Sequence, residues 1–173
     1  MVLLEINFKY AEIAVMVIYF VVIGLLFIEF RGMKELIKER LDLNNEGMKL
    51  RLQALERLTI YAERSGLKNM IGRVETMQTS AANLQATLVG MLKSEYEYNV
   101  SQQIYVSPEV WNAVTRLRDQ NIYIINQLTA TLPFEANAMD LSKRILEYSL
   151  NNNAELNTVV LDALQYEAKK VIA

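Results

Sequence analysis

IAVMVIYFVVIGLLFI, Ile13 to Ile28, runs for sixteen residues without a charge or a proline, between Glu12 and Glu29. At about 1.5 Å of rise per residue it covers roughly 24 Å, a little short of the ~30 Å hydrocarbon core of a bilayer. Ala11 and Phe30 extend it, Tyr10 and Tyr19 are amphipathic, and flanking charged side chains reach headgroups by snorkelling. The stretch reads as one membrane-spanning helix over residues 11–30, with Ile13, Val17, Phe20, Leu25 and Ile28 among its anchor residues. A buried core helix of this length would carry some polar face, and this one has none. A cleaved signal peptide needs a positive leader and a small-residue cleavage site. Here Lys9 stands against Glu5 and Glu12, and no A-x-A follows. Export of a helical domain after such a cleavage is therefore the second alternative.

Outward from the span, the cationic residues set its direction. Arg31, Lys34, Lys38 and Arg40 follow it within about fifteen residues, the span over which the positive-inside rule is counted; only Lys9 precedes it. The rule places the C-terminal side in the cytoplasm, with residues 1–10 in the opposite compartment. A chain without cysteine agrees with a reducing cytoplasm. Residues 31–73 carry ten Lys/Arg against six Asp/Glu, net +4, whereas 74–173 carry seven against eleven, net −4. The basic part lies next to the membrane, within reach of anionic headgroups, though screened surface charge is the plainer reading of this asymmetry. An overall charge of −2 makes no case for nucleic acid as a partner.

Beyond the anchor, hydrophobic spacing of three and four predicts helix throughout. Met33, Leu36, Ile37 and Leu41 stripe an amphipathic stalk over 31–45, with Arg31–Glu35 and Glu35–Lys38 spaced for ion pairs. Asn44, Asn45 and Gly47 predict a break or kink there. The helical domain begins at about residue 46. Met48, Leu52, Leu55, Leu58 and Ala62 stripe the next helix, which Ser65-Gly66 ends. Residues 67–80 read as a short helix or turn, and Thr79 or Ser80 caps a helix to about Asn99. Gln102–Ser107 alternates briefly and, lacking a partner strand, reads as an extended connection. Ser107-Pro108-Glu109 is a helix start: N-cap, N1 proline and an acid at the positive end. That helix carries Trp111, Val114, Leu117, Ile125, Leu128 and Leu132, is interrupted by Asn121, and stops before Pro133. Asn137 with Asp140 opens another, and Asn151-Asn152-Asn153 separates it from a last helix striped by Leu156, Val160, Ala163, Leu164 and Val171. The fold class is all-α: one transmembrane helix and a cytoplasmic bundle of about five helices.

The chemistry is bounded by what is missing. The chain has no His and no Cys, which removes the usual general base, the thiol nucleophile, the common zinc ligands and the Glu-x-x-His di-iron pairs. Its six glycines are scattered and form no phosphate-cradling loop. No cofactor is expected. Glu95 and Glu97 are two apart, so on a helix they point to different faces and form no dyad. Tyr96, Tyr98, Tyr105, Trp111 and Tyr123 are a denser aromatic group, read first as core, otherwise as the lining of a ligand pocket or as anchors for a partner.

Three stretches carry a resemblance: MKLRLQALERLTIYAER (Met48–Arg64), LKSEYEYNVSQQIYVSPEVWNAV (Leu92–Val114) and the Met139–Leu150 helix. They resemble an uncharacterised family of Bacteroidota proteins with one N-terminal membrane helix and a helical domain. The resemblance implies a bacterial inner-membrane protein and supplies no activity, ligand or catalytic residue. The function expected is a scaffold, adaptor or accessory subunit of an inner-membrane complex. Its partners would be lipid, other subunits of the complex and copies of itself. Leu36, Ile37, Tyr98, Tyr105 and Trp111 are the candidate contact residues. The other alternative is a ligand-binding or enzymatic domain using Glu, Asp, Arg and Tyr.

Overall fold

The computed structural model of the chain describes residues 2–74, 79–151 and 156–172, and the side chains among these outside 2–15 and 151. Six α-helices and one 3-10 helix make up its elements, and among the described residues the only β-pairing is an isolated bridge between Ser80 and Asn137. The chain separates into two compact units, Met1–Gly47 and Met48–Ala173.

The first helix, α1, spans Val2–Ser65. Asn44, Asn45 and Gly47 stay inside it, so the expected break is not there. The propensity cost of the three is about 1 kcal/mol for the glycine and less for each asparagine. A break would instead free up to four N–H and four C=O groups at two new helix ends. Good helix formers on both sides tip the balance toward continuity. The ion pairs that the spacing allows from Arg31 and Lys38 to Glu35 do not close. Arg31 lies 6.0 Å over the Phe27 ring and Lys34 5.3 Å over Phe30.

Helix α2, Leu67–Ile71, follows directly on Gly66. A Cβ on that glycine would come within 3.0 Å of the Asn157 amide nitrogen, so a small residue lets the polar side chain approach. Helix α3, Ala81–Asn99, is capped by Ser80, whose hydroxyl accepts the Asn83 N–H. The 3-10 helix Val100–Ile104 replaces the extended connection read from the alternation of residues 102–107. Strand-like composition needs a partner to pair with, and without one the end of α3 tightens into i→i+3 turns.

Helix α4, Pro108–Ala130, starts at Ser107 as the local signal requires, and Pro133 lies just past its end. Helix α5, Ala138–Asn151, opens with a reciprocal cap: the Asp140 N–H donates to Asn137 Oδ1 at 3.0 Å, and the Asn137 N–H to Asp140 Oδ2 at 3.1 Å. Helix α6 is Leu156–Ile172; the expected break at Asn152 and Asn153 lies outside the described residues.

Met48–Ala173 holds two hydrophobic clusters. In the first, Leu67 and Met70 of α2, Leu84, Leu88 and Leu92 of α3, Ile124 and Ile125 of α4, and Leu141 and Ile145 of α5 close together. The second joins Leu55, Leu58, Tyr61 and Ala62 from the end of α1 to Val110, Val114 and Leu117 of α4 and to Val160 and Leu164 of α6. Helix α4 serves both, its second half facing one cluster and its first half the other. Asn121 sits between them, and its side chain donates at 2.7 Å to the Ser65 carbonyl. The residue that interrupts the α4 stripe thus satisfies an orphan carbonyl at the end of α1.

Candidate interaction surface

The aromatic group read from the sequence divides. Tyr96 and Trp111 stack at 5.2 Å, Tyr61 meets Tyr96 edge-on at 6.3 Å, and the Arg118 guanidinium lies 4.0 Å over the Tyr96 ring. The Tyr96 hydroxyl pairs with Thr115 Oγ1 at 3.2 Å. These residues form the aromatic wall of the second cluster. Trp111 is half-buried against it. Tyr61 is fully buried, and its hydroxyl has no hydrogen-bond partner among the described residues. Burial pushes its pKa up to about 12; the nearby Ser65 hydroxyl offsets only part of that.

Tyr98 points outward, 74% exposed, with the Arg57 guanidinium 5.0 Å over its ring. Val100 and Ile104, also exposed, follow it in the chain. Tyr105 is half-buried, and its backbone carbonyl accepts from Arg51 Nε at 3.4 Å. Tyr123 is exposed on α4. Of the three candidate contact aromatics, Tyr98 is thus exposed, whereas Tyr105 and Trp111 are half-buried.

Two polar features were not legible in the sequence. Glu167 lies on the face of α6 that also carries Val160 and Leu164, and is buried with them. The Ser107 N–H donates to its Oε1 at 2.9 Å, the Ser107 hydroxyl donates to its Oε2, and an Arg51 guanidinium nitrogen stands 3.6 Å from Oε1. A carboxylate from α6 thus supports the N-cap of α4. Glu95 takes Arg64 at 2.9 Å and Arg73 at 3.2 Å, while Arg73 also donates to the Arg64 carbonyl at 3.0 Å. Glu97 is exposed, apart from this network.

An open groove of about 600 Å³ runs between α1 and α6. Leu52, Leu55, Ile60, Leu161, Leu164 and Ala168 line it, and Glu56, Glu63 and Asp162 edge it. Glu56 and Glu63 are seven apart, on one face of α1. The sequence alone did not show that α6 completes the other wall.

Within Met1–Gly47, α1 is exposed wherever its side chains are described. From Met16 on it is long and apolar enough to cross a membrane, with a most apolar window of mean hydropathy 2.0 and none of that window buried. Val17, Phe20, Leu25 and Ile28 are all exposed, while Ile13 lies where side chains are not described. Arg31, Lys34, Lys38 and Arg40 are exposed, as are Leu36 at 63% and Ile37 at 59%.

The chain belongs to the DUF7935 family. The match to this family of unknown function covers residues 3–171, taking in the apolar helix and the bundle alike. Neither a curated protein nor a solved structure matches the chain.

Proposed function

We propose that the chain is a single-pass protein of a bacterial inner membrane, N-terminus out and helical domain in the cytoplasm. It acts by protein contacts, as a scaffold, adaptor or accessory subunit of a membrane complex. The observation that carries this reading is the bare α1 helix. Its apolar window is exposed, and the exposed apolar surface continues past the window through Met33, Leu36, Ile37, Leu41 and Leu43. Lipid accounts for the first part. Burying an apolar side chain is worth about 1.5–3 kcal/mol, so the second part is a strong demand for a covering surface. The membrane interface covers part of it, and protein covers the rest.

Full-length tagged protein, extracted from native membranes in mild detergent, tests the proposal. Wild type should resist carbonate extraction and co-purify with other polypeptides or with an untagged copy of itself. Replacing Leu36→Glu and Ile37→Glu together should abolish the co-purification while leaving membrane insertion and helicity unchanged. A wild-type chain that purifies alone and crosslinks to nothing in membranes overturns the reading.

A further inference from the structure

Seventeen consecutive residues of α1, Phe30–Glu46, sort their chemistry around the helix with unusual order. At 3.6 residues per turn, one circuit passes Phe30 and Leu41, then Lys34, Asn45, Lys38 and Arg31, then Asp42, Glu35, Glu46 and Glu39. It returns through Gly32, Leu43, Leu36, Arg40, Met33, Asn44 and Ile37. The surface is thus an apolar half, a basic quarter along one edge of it and an acidic quarter along the other. All described side chains here are exposed, and no ion pair within the helix ties the two edges together.

We infer that this surface is covered by other copies of the same chain, packed parallel through the apolar half. The charge arrangement argues for the occupant. When identical helices lie parallel, each turns its Lys34/Lys38 edge to a neighbour's Glu39/Glu46 edge, and the contacts along both edges pair opposite signs. When they lie antiparallel about a two-fold, base meets base and acid meets acid. Exposed pairs contribute little each, so the apolar residues supply the association and the charged edges choose its direction. The inference rests on the membrane reading only in that anchored copies are held parallel beforehand; the edges select the same direction without an anchor. Arg40 and Asn44 fall within the apolar half. Polar residues at such positions fix register at a cost in affinity, as a buried Asn or Lys does in coiled coils. The association is accordingly reversible rather than permanent.

The chain has no cysteine, so single replacements report contacts cleanly. Full-length protein carrying Met33→Cys, Leu36→Cys or Ile37→Cys, in its native membranes, is treated with a mild oxidant. Parallel packing predicts disulfide-linked dimers of the same residue at all three positions, with Lys38→Cys on the basic edge linking poorly. Antiparallel packing would link at most the position nearest the crossing point. In the Ile37→Cys background, Glu35→Lys, Glu39→Lys and Glu46→Lys together should lower the linked yield about tenfold, by losing two or three pairs per contact. Mixing that protein with a Lys34→Glu, Lys38→Glu copy should restore mixed dimers. Arg40→Leu should raise the yield. Absence of linking at all three positions in protein that resists carbonate extraction overturns the inference and leaves the membrane reading standing. Loss of carbonate resistance with linking retained does the reverse.

Discussion

Tyr61 shows how far a single residue escapes a linear reading. Its place beside Ala62 in the α1 stripe is visible as spacing, but its full burial depends on Tyr96 of α3 and Leu117 of α4 arriving from elsewhere. The consequence is a pH dependence with a definite sign. The folded-state pKa of about 12 stands above an unfolded value near 10, so the neutral phenol is favoured in the folded chain. Its contribution is fully present below pH about 10 and fades as pH rises through 12, by up to about 3 kcal/mol. The comparison that isolates the phenol is with Tyr61→Phe. That variant keeps the ring, removes a buried hydroxyl without a partner among the described residues, and should equal or exceed wild type in stability at pH 7. Denaturant melts at pH 8, 10 and 11.5 should show wild type losing stability relative to the variant. Parallel curves would mean that the phenol is not held neutral by burial. Asn121 and Glu167 teach the same lesson from the polar side. A linear pattern marks them as an interruption and as one more surface acid. Only packing shows that each satisfies backbone groups at the end of another helix.

At the scale of elements, local signals were the legible part. Ser107-Pro108, Asn137 with Asp140, and Ser65-Gly66 each mark a boundary where the structure has one, because caps act over three or four residues. The failures came where a local preference met a larger demand. Asn44, Asn45 and Gly47 prefer a break but lie within a helix held on both sides; Gln102–Ser107 has strand composition and no strand to pair with. The start of α4 combines a legible cap with an illegible support. Ser107→Ala removes the N-cap and should cost about 1–2 kcal/mol. Glu167→Ala removes a charged acceptor from two donors and should cost about 2–3 kcal/mol. Both act on the same helix end, so their effects should not add. The double variant should fall short of the sum by roughly 1 kcal/mol or more. Chemical denaturation of the four proteins measures that coupling. An additive result would show that Glu167 stabilises α6 packing independently of the cap.

For the whole molecule, the all-helical class follows from spacing that repeats at three to four in each long segment, and every element described is helical. What spacing cannot convey is how the helices of Met48–Ala173 share two cores, since that depends on contacts far apart in sequence. Direction in the membrane is a different kind of property, because no contact within the chain sets it. On the proposed reading it is set by cations: Arg31, Lys34, Lys38 and Arg40 follow the apolar window, and Lys9 alone precedes it. Moving several cations across a bilayer is costly, and the bias in insertion follows the Lys/Arg count near the span rather than net charge. Glu35, Glu39 and Asp42 therefore do not cancel the signal. A fluorescent protein fused to the C-terminus should mature and glow, and alkaline phosphatase fused there should stay inactive. The cause can be isolated by changing Arg31, Lys34, Lys38 and Arg40 to Gln while adding three lysines within residues 2–8. Phosphatase activity should then appear in a fraction of the molecules, with fluorescence falling in step. An active phosphatase on the unaltered chain would reverse the orientation. It would also place the acid-edged groove and the exposed Tyr98 on the outer side of the membrane.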